Sequence, residues 1–248
     1  MDTTLDFQNG RRRFVSYFTG DTVGALIAST LAGEVRSQNV GLLGDGHQWY
    51  LATKRVFDFL LSLIALAVLS PVFLLAAISV KLYDRGPVLF SQERVGKNGR
   101  TFRCYKFRSM VTNAERLQKE LIAQNEHADP RTFKMSNDPR ITPVGRILRR
   151  FSIDEFPQIF NVLLGQMSIV GPRPPLPREV ALYSHTDFQR LAVKPGLTCI
   201  WQVSGRSRLS FPEEVKMDVH YIQTQSIAKD ITIILKTIPA VLSGDGAA

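Results

Sequence analysis

One stretch of the chain is apolar over its whole length and dominates the hydrophobic pattern. Residues 56–80 read VFDFLLSLIALAVLSPVFLLAAISV and carry a single charge, at Asp58. A helix rises about 1.5 Å per residue, so this stretch is long enough to cross a hydrocarbon core of about 30 Å. A surface helix of a soluble protein normally has a polar face, which this stretch lacks. The pattern therefore favours insertion into a membrane.

Two features of this stretch argue against a simple crossing. Ser70-Pro71 lies past its middle, and a proline removes a helical hydrogen bond and kinks the axis. Both flanks are basic: Lys54 and Arg55 precede the stretch, and Lys81 and Arg85 follow it. Because positive residues prefer the cytoplasmic side, we expect residues 54–85 to enter the membrane, break at Ser70-Pro71 and return to the same face. A proline-kinked spanning helix is the alternative.

A polar–apolar alternation after the apolar stretch predicts a short β-hairpin. Residues 88–92 and 101–107 alternate like strands, and residues 96–99, Gly-Lys-Asn-Gly, are typical of a turn. The alternation places Lys106 and Arg108 on one face. These two cations either face an anionic ligand or belong to a solvated hairpin.

Helical periodicity predicts amphipathic helices in the rest of the chain. Residues 142–151 place an apolar stripe beside arginines, and residues 229–242 carry apolar side chains along one face. We also expect residues 178–192 to be helical. Such helices suit the headgroup region of a membrane, although ordinary surface helices look the same. We expect an α+β, mostly helical, monotopic membrane protein with a Ser-Pro-broken re-entrant helix, interfacial helices and a small β-hairpin. Residues 1–53, poor in fold signals, form a poorly ordered tail in this prediction.

The charge and the cysteine content of the chain limit the kinds of binding partner and the cellular compartment that we expect. The net charge is +9, which favours an anionic partner such as nucleic acid, acidic lipid headgroups or a phosphorylated substrate. A DNA-binding regulator is disfavoured by the apolar stretch and by the lack of a helix-turn-helix or zinc pattern. The two cysteines, Cys104 and Cys199, lack metal-ligand spacing, which indicates reduced thiols in a cytosol-facing protein.

Adjacent bases and adjacent acids mark the strongest candidate for chemistry. Arg149 and Arg150 are followed closely by Asp154 and Glu155. Cations hold the oxygens of a phosphate, and a carboxylate can attack phosphorus or bind a metal. The structural alternative is a capping box, in which Ser152 and Glu155 begin a helix.

Two loops carry further candidates. Residues 171–177 read GPRPPLP, and the prolines fix the backbone around Arg173, which suits a preorganised phosphate clamp. A stiff connector with an incidental arginine is the alternative. A glycine-bearing loop, QVSGR, places Gln202 and Arg206 where they could bind a nucleotide, although it matches no standard nucleotide motif.

Several of these blocks together resemble a known family. The chain is similar to the monotopic bacterial sugar transferases, the polyprenyl-phosphate hexose-1-phosphate transferases. The matching blocks, in order, are Lys54-Arg55 with Asp58, Ser70-Pro71, residues 90–96 (FSQERVG), 105–110 (YKFRSM), 152–158 (SIDEFPQ), 171–174 (GPRP), 195–198 (PGLT) and 202–206 (QVSGR). Each block alone is weak, but their ordered combination is specific.

The resemblance implies an activity and a location. In the implied reaction, a hexose 1-phosphate is transferred from a UDP-sugar to undecaprenyl phosphate, UMP is released, and Mg²⁺ is the cofactor. UDP-glucose or UDP-galactose is the expected donor, in preference to UDP-sugars that are N-acetylated. Asp154 takes the role of covalent nucleophile, and Asp154 with Glu155 would bind the metal. Residues 86–248 become a catalytic domain on the cytoplasmic face of the bacterial inner membrane. The candidate substrate-binding residues are Lys106, Arg108, Arg149, Arg150, Arg173, Gln202 and Arg206.

The chain also departs from the family pattern. Cys199 stands where glycine is common after Gly-Leu-Thr, and the segment 111–140 is long. A non-catalytic membrane-surface adaptor of a polysaccharide assembly complex is the alternative function, using the basic surface but not the carboxylates. Nucleic acid is not expected as a partner, and an oligomer remains open.

Overall fold

The structure is a computed structural model that describes residues 47–121, 135, 138–205 and 209–243. Most of the predicted tail lies outside the described residues. Helix α1 runs over His47–Asp84, so the predicted boundary at residue 54 falls inside the helix. Among the described residues, α1 is the one helix long and apolar enough to cross a membrane.

Helix α1 keeps helical geometry through the Ser70-Pro71 pair. Pro71 has no N–H to donate to the carbonyl of Ala67, four residues earlier. The hydroxyl of Ser70 donates to that carbonyl instead, at 2.8 Å. The serine hydroxyl thus replaces the hydrogen bond that the proline removes, and the backbone stays helical from Ser70 to Asp84.

One face of α1 packs on the rest of the protein, and most of its large apolar side chains are exposed. Its buried positions lie four residues apart near each end of the helix, which is the spacing of a single helix face; they are Lys54, Asp58 and Ser62, and then Ala76 and Val80. The exposed side chains include Val56, Phe59, Leu60, Leu63, Ile64, Val68, Leu74, Leu75 and Ile78. This surface suits a hydrocarbon environment better than water.

The predicted hairpin is present as two antiparallel strands. Strand β1 is Leu89–Val95 and β2 is Thr101–Phe107, with Phe90 opposite Lys106 and Arg94 opposite Phe102. The turn contains Asn98 and Gly99 at positive φ, 56° and 77°. Asparagine and glycine tolerate this conformation best, which is why the sequence signals a turn here.

Short helices and a second small sheet complete the domain. The helices are α2 (Ala114–Leu121), α3 (Pro143–Arg150), α4 (Gln158–Leu163), α5 (Pro177–Val180), α6 (Ile200–Ser204), α7 (Phe211–Thr224) and α8 (Ile227–Ser243). Strands β3 (Ser168–Val170) and β4 (Gly196–Thr198) pair in parallel. This pair was not predicted, because each strand is too short to show a periodicity.

A close approach of two glycines holds the second sheet together. A Cβ on Gly196 would lie 2.1 Å from the backbone nitrogen of Gly171, so a side chain at Gly196 cannot be accommodated without movement. The proline-rich loop after β3 is thereby fixed against the loop that leads into β4. Both loops carry candidate functional residues.

Two amphipathic helices leave apolar side chains uncovered, as the sequence predicts. On α3, Leu148 is buried and Ile147 is exposed. On α8, Ile233 is buried, and an exposed stripe follows the helical repeat: Ile231, Leu235, Ile238 and Leu242. The described fold is therefore mostly helical with small sheets, one long apolar helix and amphipathic helices suited to a membrane surface.

Candidate active site

The paired carboxylates lie in a tight turn between α3 and α4. Ile153–Glu155 forms one turn of 3₁₀ helix, and Ser152 before it has a left-handed backbone with φ 53° and no side-chain cap hydrogen bond. The predicted capping box is therefore wrong. The physical reason is that Glu155 points its carboxylate at Lys106 instead of at the start of the helix.

A pocket that opens to solvent collects residues from seven parts of the fold. Four of the predicted candidates line it together: Lys106, Glu155, Arg173 and Gln202. The other lining residues are Arg94, Cys104, Gln158, Pro174, Gly196 and Leu197. Cations from β1, β2 and the proline-rich loop thus converge on one carboxylate.

Glu155 is the anion of this pocket. The ammonium of Lys106 lies 2.5 Å from its Oε1. Burial alone would raise the pKa of Glu155, but Lys106, and then Arg173 and Arg94, outweigh it and lower that pKa to about 2. Glu155 therefore stays ionised at any physiological pH.

Asp154 is the buried member of the pair, with 6% of its surface exposed. Burial raises its pKa; Lys106 and Arg149 oppose this change, while the charge of Glu155 reinforces it. The surroundings therefore raise the pKa of Asp154 and lower the pKa of its neighbour Glu155. Such a separation is a common sign of divided roles at a catalytic site.

Arg94 is a pocket residue that the sequence analysis did not single out. It is 6% exposed, and its guanidinium donates to the carbonyl of Pro174 at 2.9 Å and to Oε1 of Gln92 at 2.9 Å. Within the described residues it has no carboxylate partner in an ion pair. A buried cation bonded only to neutral acceptors is costly unless an anion binds beside it.

Arg94 also holds the proline-rich loop in place. Next to it, the backbone N–H of Val95 donates to the carbonyl of Pro175 at 2.9 Å. The loop that carries Arg173 is therefore tied to β1 by two consecutive residues. The only sequence signal for Arg94 was its position inside the family block of residues 90–96.

Asn161 joins the carboxylate turn to the hairpin. It is completely buried on α4, accepts from the backbone N–H of Tyr105 at 3.1 Å and donates to the carbonyl of Arg103 at 2.7 Å. These bonds satisfy backbone groups of β2 on the side where the hairpin has no further strand. They set the distance between Lys106 and the turn that carries Glu155.

Three predicted arginines have other surroundings in the structure. Arg149 contacts the hydroxyl of Ser109 through Nε at 3.1 Å and acts electrostatically on Asp154. Arg108 follows the end of β2 and forms an ion pair with Asp84 at the end of α1. Arg150 is exposed.

None of these three arginines lines the pocket, and Asp154 does not line it either. The alternation that placed Arg108 beside Lys106 applies only within the strand, which ends at Phe107. The guanidinium of Arg150 lies 5.6 Å from the ring centre of Phe151. Arg206 lies outside the described residues.

The carboxylate pair fits a magnesium ion in its chemistry. Mg²⁺ in phosphate-handling sites is usually bound by one or two carboxylates, waters and substrate phosphates. The described residues contain no group of three or more His, Cys, Asp or Glu side chains that could hold a metal by themselves. Asp154 and Glu155 therefore provide a donor set that needs the oxygens of a phosphorylated substrate to complete it.

The sequence of this chain is similar to the sequences of known proteins. The family model described as bacterial sugar transferase matches residues 49–244. The exopolysaccharide production protein ExoY of Sinorhizobium fredii is 44% identical over 198 residues, which cover 79% of this chain and 88% of that protein.

Two larger relatives match the same region. The undecaprenyl-phosphate galactose phosphotransferase of Salmonella typhimurium is 44% identical over 197 residues, covering 78% of this chain and 41% of that protein. The undecaprenyl-phosphate glucose phosphotransferase of Komagataeibacter xylinus is 41% identical over 202 residues, covering 77% of this chain and 36% of that protein. The chain spans less than half of these two relatives. Since the family model covers the pocket, α1 and both small sheets, the chain belongs to the bacterial sugar transferase family.

Proposed function

We propose that this protein transfers a hexose 1-phosphate from a UDP-hexose to undecaprenyl phosphate and releases UMP, as a membrane step in exopolysaccharide synthesis. The observation that carries the proposal is the pocket in which Lys106, Arg94 and Arg173 converge on Glu155. The buried Asp154 precedes Glu155 in the chain, and Lys106 also acts on it electrostatically. A surplus of cations around a carboxylate pair suits a substrate that carries two phosphates. The names of two relatives, undecaprenyl-phosphate galactose phosphotransferase and undecaprenyl-phosphate glucose phosphotransferase, support transfer of a sugar phosphate to this lipid.

In the proposed first step, a carboxylate oxygen of Asp154 attacks the β-phosphorus of the UDP-sugar. The bond between that phosphorus and the oxygen bridging to the α-phosphate breaks, and UMP leaves with the bridging oxygen. The sugar phosphate stays on Asp154 as an acyl phosphate. A covalent intermediate divides one difficult displacement into two easier ones.

In the proposed second step, an oxygen of the lipid phosphate attacks the same phosphorus. The bond to Asp154 breaks, the carboxylate is regenerated, and the sugar diphosphate lipid is formed. Lys106, Arg94 and Arg173 reduce the repulsion between the anions in both steps, because each can neutralise a phosphate oxygen.

Asp154 and Glu155 are the residues that would hold Mg²⁺, and the ion would supply positive charge to the oxygens of the transferred phosphate. Glu155 suits this role because Lys106, Arg173 and Arg94 keep it ionised. Lys106 in turn orients the Glu155 carboxylate through its 2.5 Å contact.

The apolar helix explains how such a site reaches a lipid substrate. We place the protein on the cytoplasmic face of the bacterial inner membrane, with α1 inserted in the bilayer. The exposed stripe of α8 and the exposed apolar face of α1 would then sit at the bilayer, so that the acceptor phosphate meets the pocket while its tail stays in the membrane.

A UMP-release assay with undecaprenyl phosphate and a panel of UDP-sugars tests the reaction. We expect release with UDP-glucose or UDP-galactose. No release with any UDP-sugar, from folded protein in a membrane mimic, would instead favour the adaptor function.

The covalent step has its own test. Asp154→Asn should abolish both UMP release and the adduct formed with a labelled UDP-sugar. Glu93→Gln, which changes an exposed carboxylate on β1, is the control and should retain both. An Asp154→Asn protein that still forms the adduct would rule out Asp154 as the nucleophile.

A further inference from the structure

Two cations from distant parts of the chain converge at the turn after α4. Gly165 in this turn has φ 78°. A Cβ at Gly165 would lie 3.3 Å from Nη2 of Arg55 and 3.6 Å from Nζ of Lys194. Both cations therefore lie within van der Waals contact of the position that a side chain at residue 165 would occupy.

The positive charge at this turn is not neutralised by a carboxylate. Arg55 donates to the carbonyls of Val162 at 2.6 Å and Leu163 at 2.8 Å, both of which are neutral acceptors. Lys194 is half-buried and has no hydrogen bond or ion pair within the described part of the chain. Burial, followed by the charge of Arg55, lowers the pKa of Lys194. The two groups repel each other and are held together by the fold.

The acid that acts on Lys194, Asp58, already has other partners. Its Oδ1 accepts from the backbone N–H of Ile169 at 3.1 Å and lies 3.8 Å from the ammonium of Lys54. Asp58 is also 3% exposed, so it cannot move freely toward the Gly165 turn. Within the described residues, no carboxylate forms an ion pair with Arg55 or Lys194.

The pair lies where the protein surface changes from polar to apolar. Arg55 directly precedes the apolar stretch, and its guanidinium lies 5.9 Å from the ring centre of Phe59, which is exposed. Leu164, next to Gly165, is 66% exposed. Cations beside exposed apolar side chains are typical of the headgroup level of a bilayer.

We propose that Arg55 and Lys194 form a binding site for the phosphate of an anionic phospholipid headgroup. The site is distinct from the catalytic pocket: Gln158 at the first residue of α4 lines that pocket, whereas Gly165 follows the other end of the helix. It does not depend on the proposed transferase reaction. A headgroup bound here would fix the first turns of α1 and the loop leading into β4 at the membrane surface.

Retention of lipid by the purified protein tests this proposal. The protein is reconstituted into nanodiscs of equal parts phosphatidylglycerol and phosphatidylcholine, extracted gently, and its retained lipids are counted by native mass spectrometry. We expect wild-type protein to retain phosphatidylglycerol in preference. Lys194→Gln should lower this preference about fivefold, the usual effect of one basic residue at an anionic surface.

Matched variants separate the site from general charge. Lys194→Arg should keep the preference, and Lys216→Gln, which removes an exposed cation on α7, should leave it unchanged. Equal retention of both lipids by wild type, or equal effects of Lys194→Gln and Lys216→Gln, would overturn the proposal.

The same experiment distinguishes other phosphates. Excess inorganic phosphate should not displace the retained phosphatidylglycerol, since it lacks the acyl chains that contact the apolar side chains near Leu164. Excess undecaprenyl phosphate should also leave it in place. Displacement by either compound would overturn the assignment to a phospholipid and give the site to the displacing phosphate.

Discussion

Removal of the charge of Asp230 should weaken the attachment of α1 to the domain. Asp230 on α8 is completely buried and accepts hydrogen bonds from Lys54 at 2.7 Å, from Tyr221 at 2.7 Å and from Tyr50 at 3.1 Å. Two of these three donors, Lys54 and Tyr50, belong to the start of α1. The variant Asp230→Asn keeps the shape of the side chain but removes its charge and one of its acceptor oxygens.

The size of the effect follows from the surroundings of Lys54. Breaking a buried ion pair on one side typically costs about 3–5 kcal/mol, because the remaining charge is left uncompensated. Asp58 lies 3.8 Å from the Lys54 ammonium and compensates part of the loss. We therefore expect the lower end, about 3 kcal/mol of unfolding free energy, which corresponds to a fall of about 6–12 °C in Tm for a chain of this size.

Thermal unfolding in one detergent, followed by circular dichroism, measures this change. The double variant Lys54→Met with Asp230→Asn removes both charges and should be more stable than Asp230→Asn alone. Glu93→Gln is the control for loss of an exposed carboxylate and should unfold like wild type. If Asp230→Asn lowers Tm by less than about 2 °C, the buried ion pair does not hold α1 in place.

Three further changes test the pocket and the helix. Lys106→Met should raise the pKa of Glu155 above its value of about 2, because the effect of burial is then less opposed. In the wild type, the ionised carboxylate contributes stability that is complete above pH 4.5 and is lost as the pH falls through about 2; in the variant, this stability is lost at a higher pH. An NMR titration of labelled glutamate measures the change, with Lys106→Arg as the control. Arg94→Gln should lower kcat/KM for UMP release by about tenfold or more. The control Arg103→Gln, which changes an exposed arginine of the hairpin, should leave kcat/KM unchanged. An Arg94→Gln variant with the same kcat/KM as wild type would exclude a phosphate contact at Arg94. Ser70→Ala removes the hydroxyl that donates to the carbonyl of Ala67, and it should lower the free energy of unfolding by about 1–3 kcal/mol in thermal unfolding. Ser70→Thr keeps a hydroxyl and should not destabilise the protein.

The features that the sequence predicts well are those with a local physical cause. The apolar stretch identifies α1 because its length and lack of charge are visible without any partner. The hairpin follows from alternation and from an Asn-Gly turn that adopts positive φ. The candidates Glu155 and Arg173 were found because carboxylates and a proline-fixed arginine suggest phosphate chemistry locally, and the structure brings both to one pocket.

Local patterns failed where a distant residue competes for a side chain. The spacing of Ser152 and Glu155 is that of a capping box, but Glu155 pairs with Lys106, 49 residues earlier in the chain. The region 178–192 was predicted to be helical, yet only Pro177–Val180 forms an α-helical turn there, followed by a 3₁₀ segment over Asp187–Leu191. The prediction for Arg108 rested on strand alternation, which ends at the strand end.

The sequence by itself determined the membrane helix, the hairpin, the amphipathic helices and the identity of the paired carboxylates, since each depends on neighbours within a few turns of chain. Only the tertiary structure decided which cations face those carboxylates. Arg94, Asn161 and Asp230 carry no local signal, because a single polar residue is defined by its long-range partners and by burial. The convergence of Arg55 and Lys194 at Gly165 is of the same kind: the two residues are far apart in sequence, and only the packing of α1 against the turn after α4 brings their charges together.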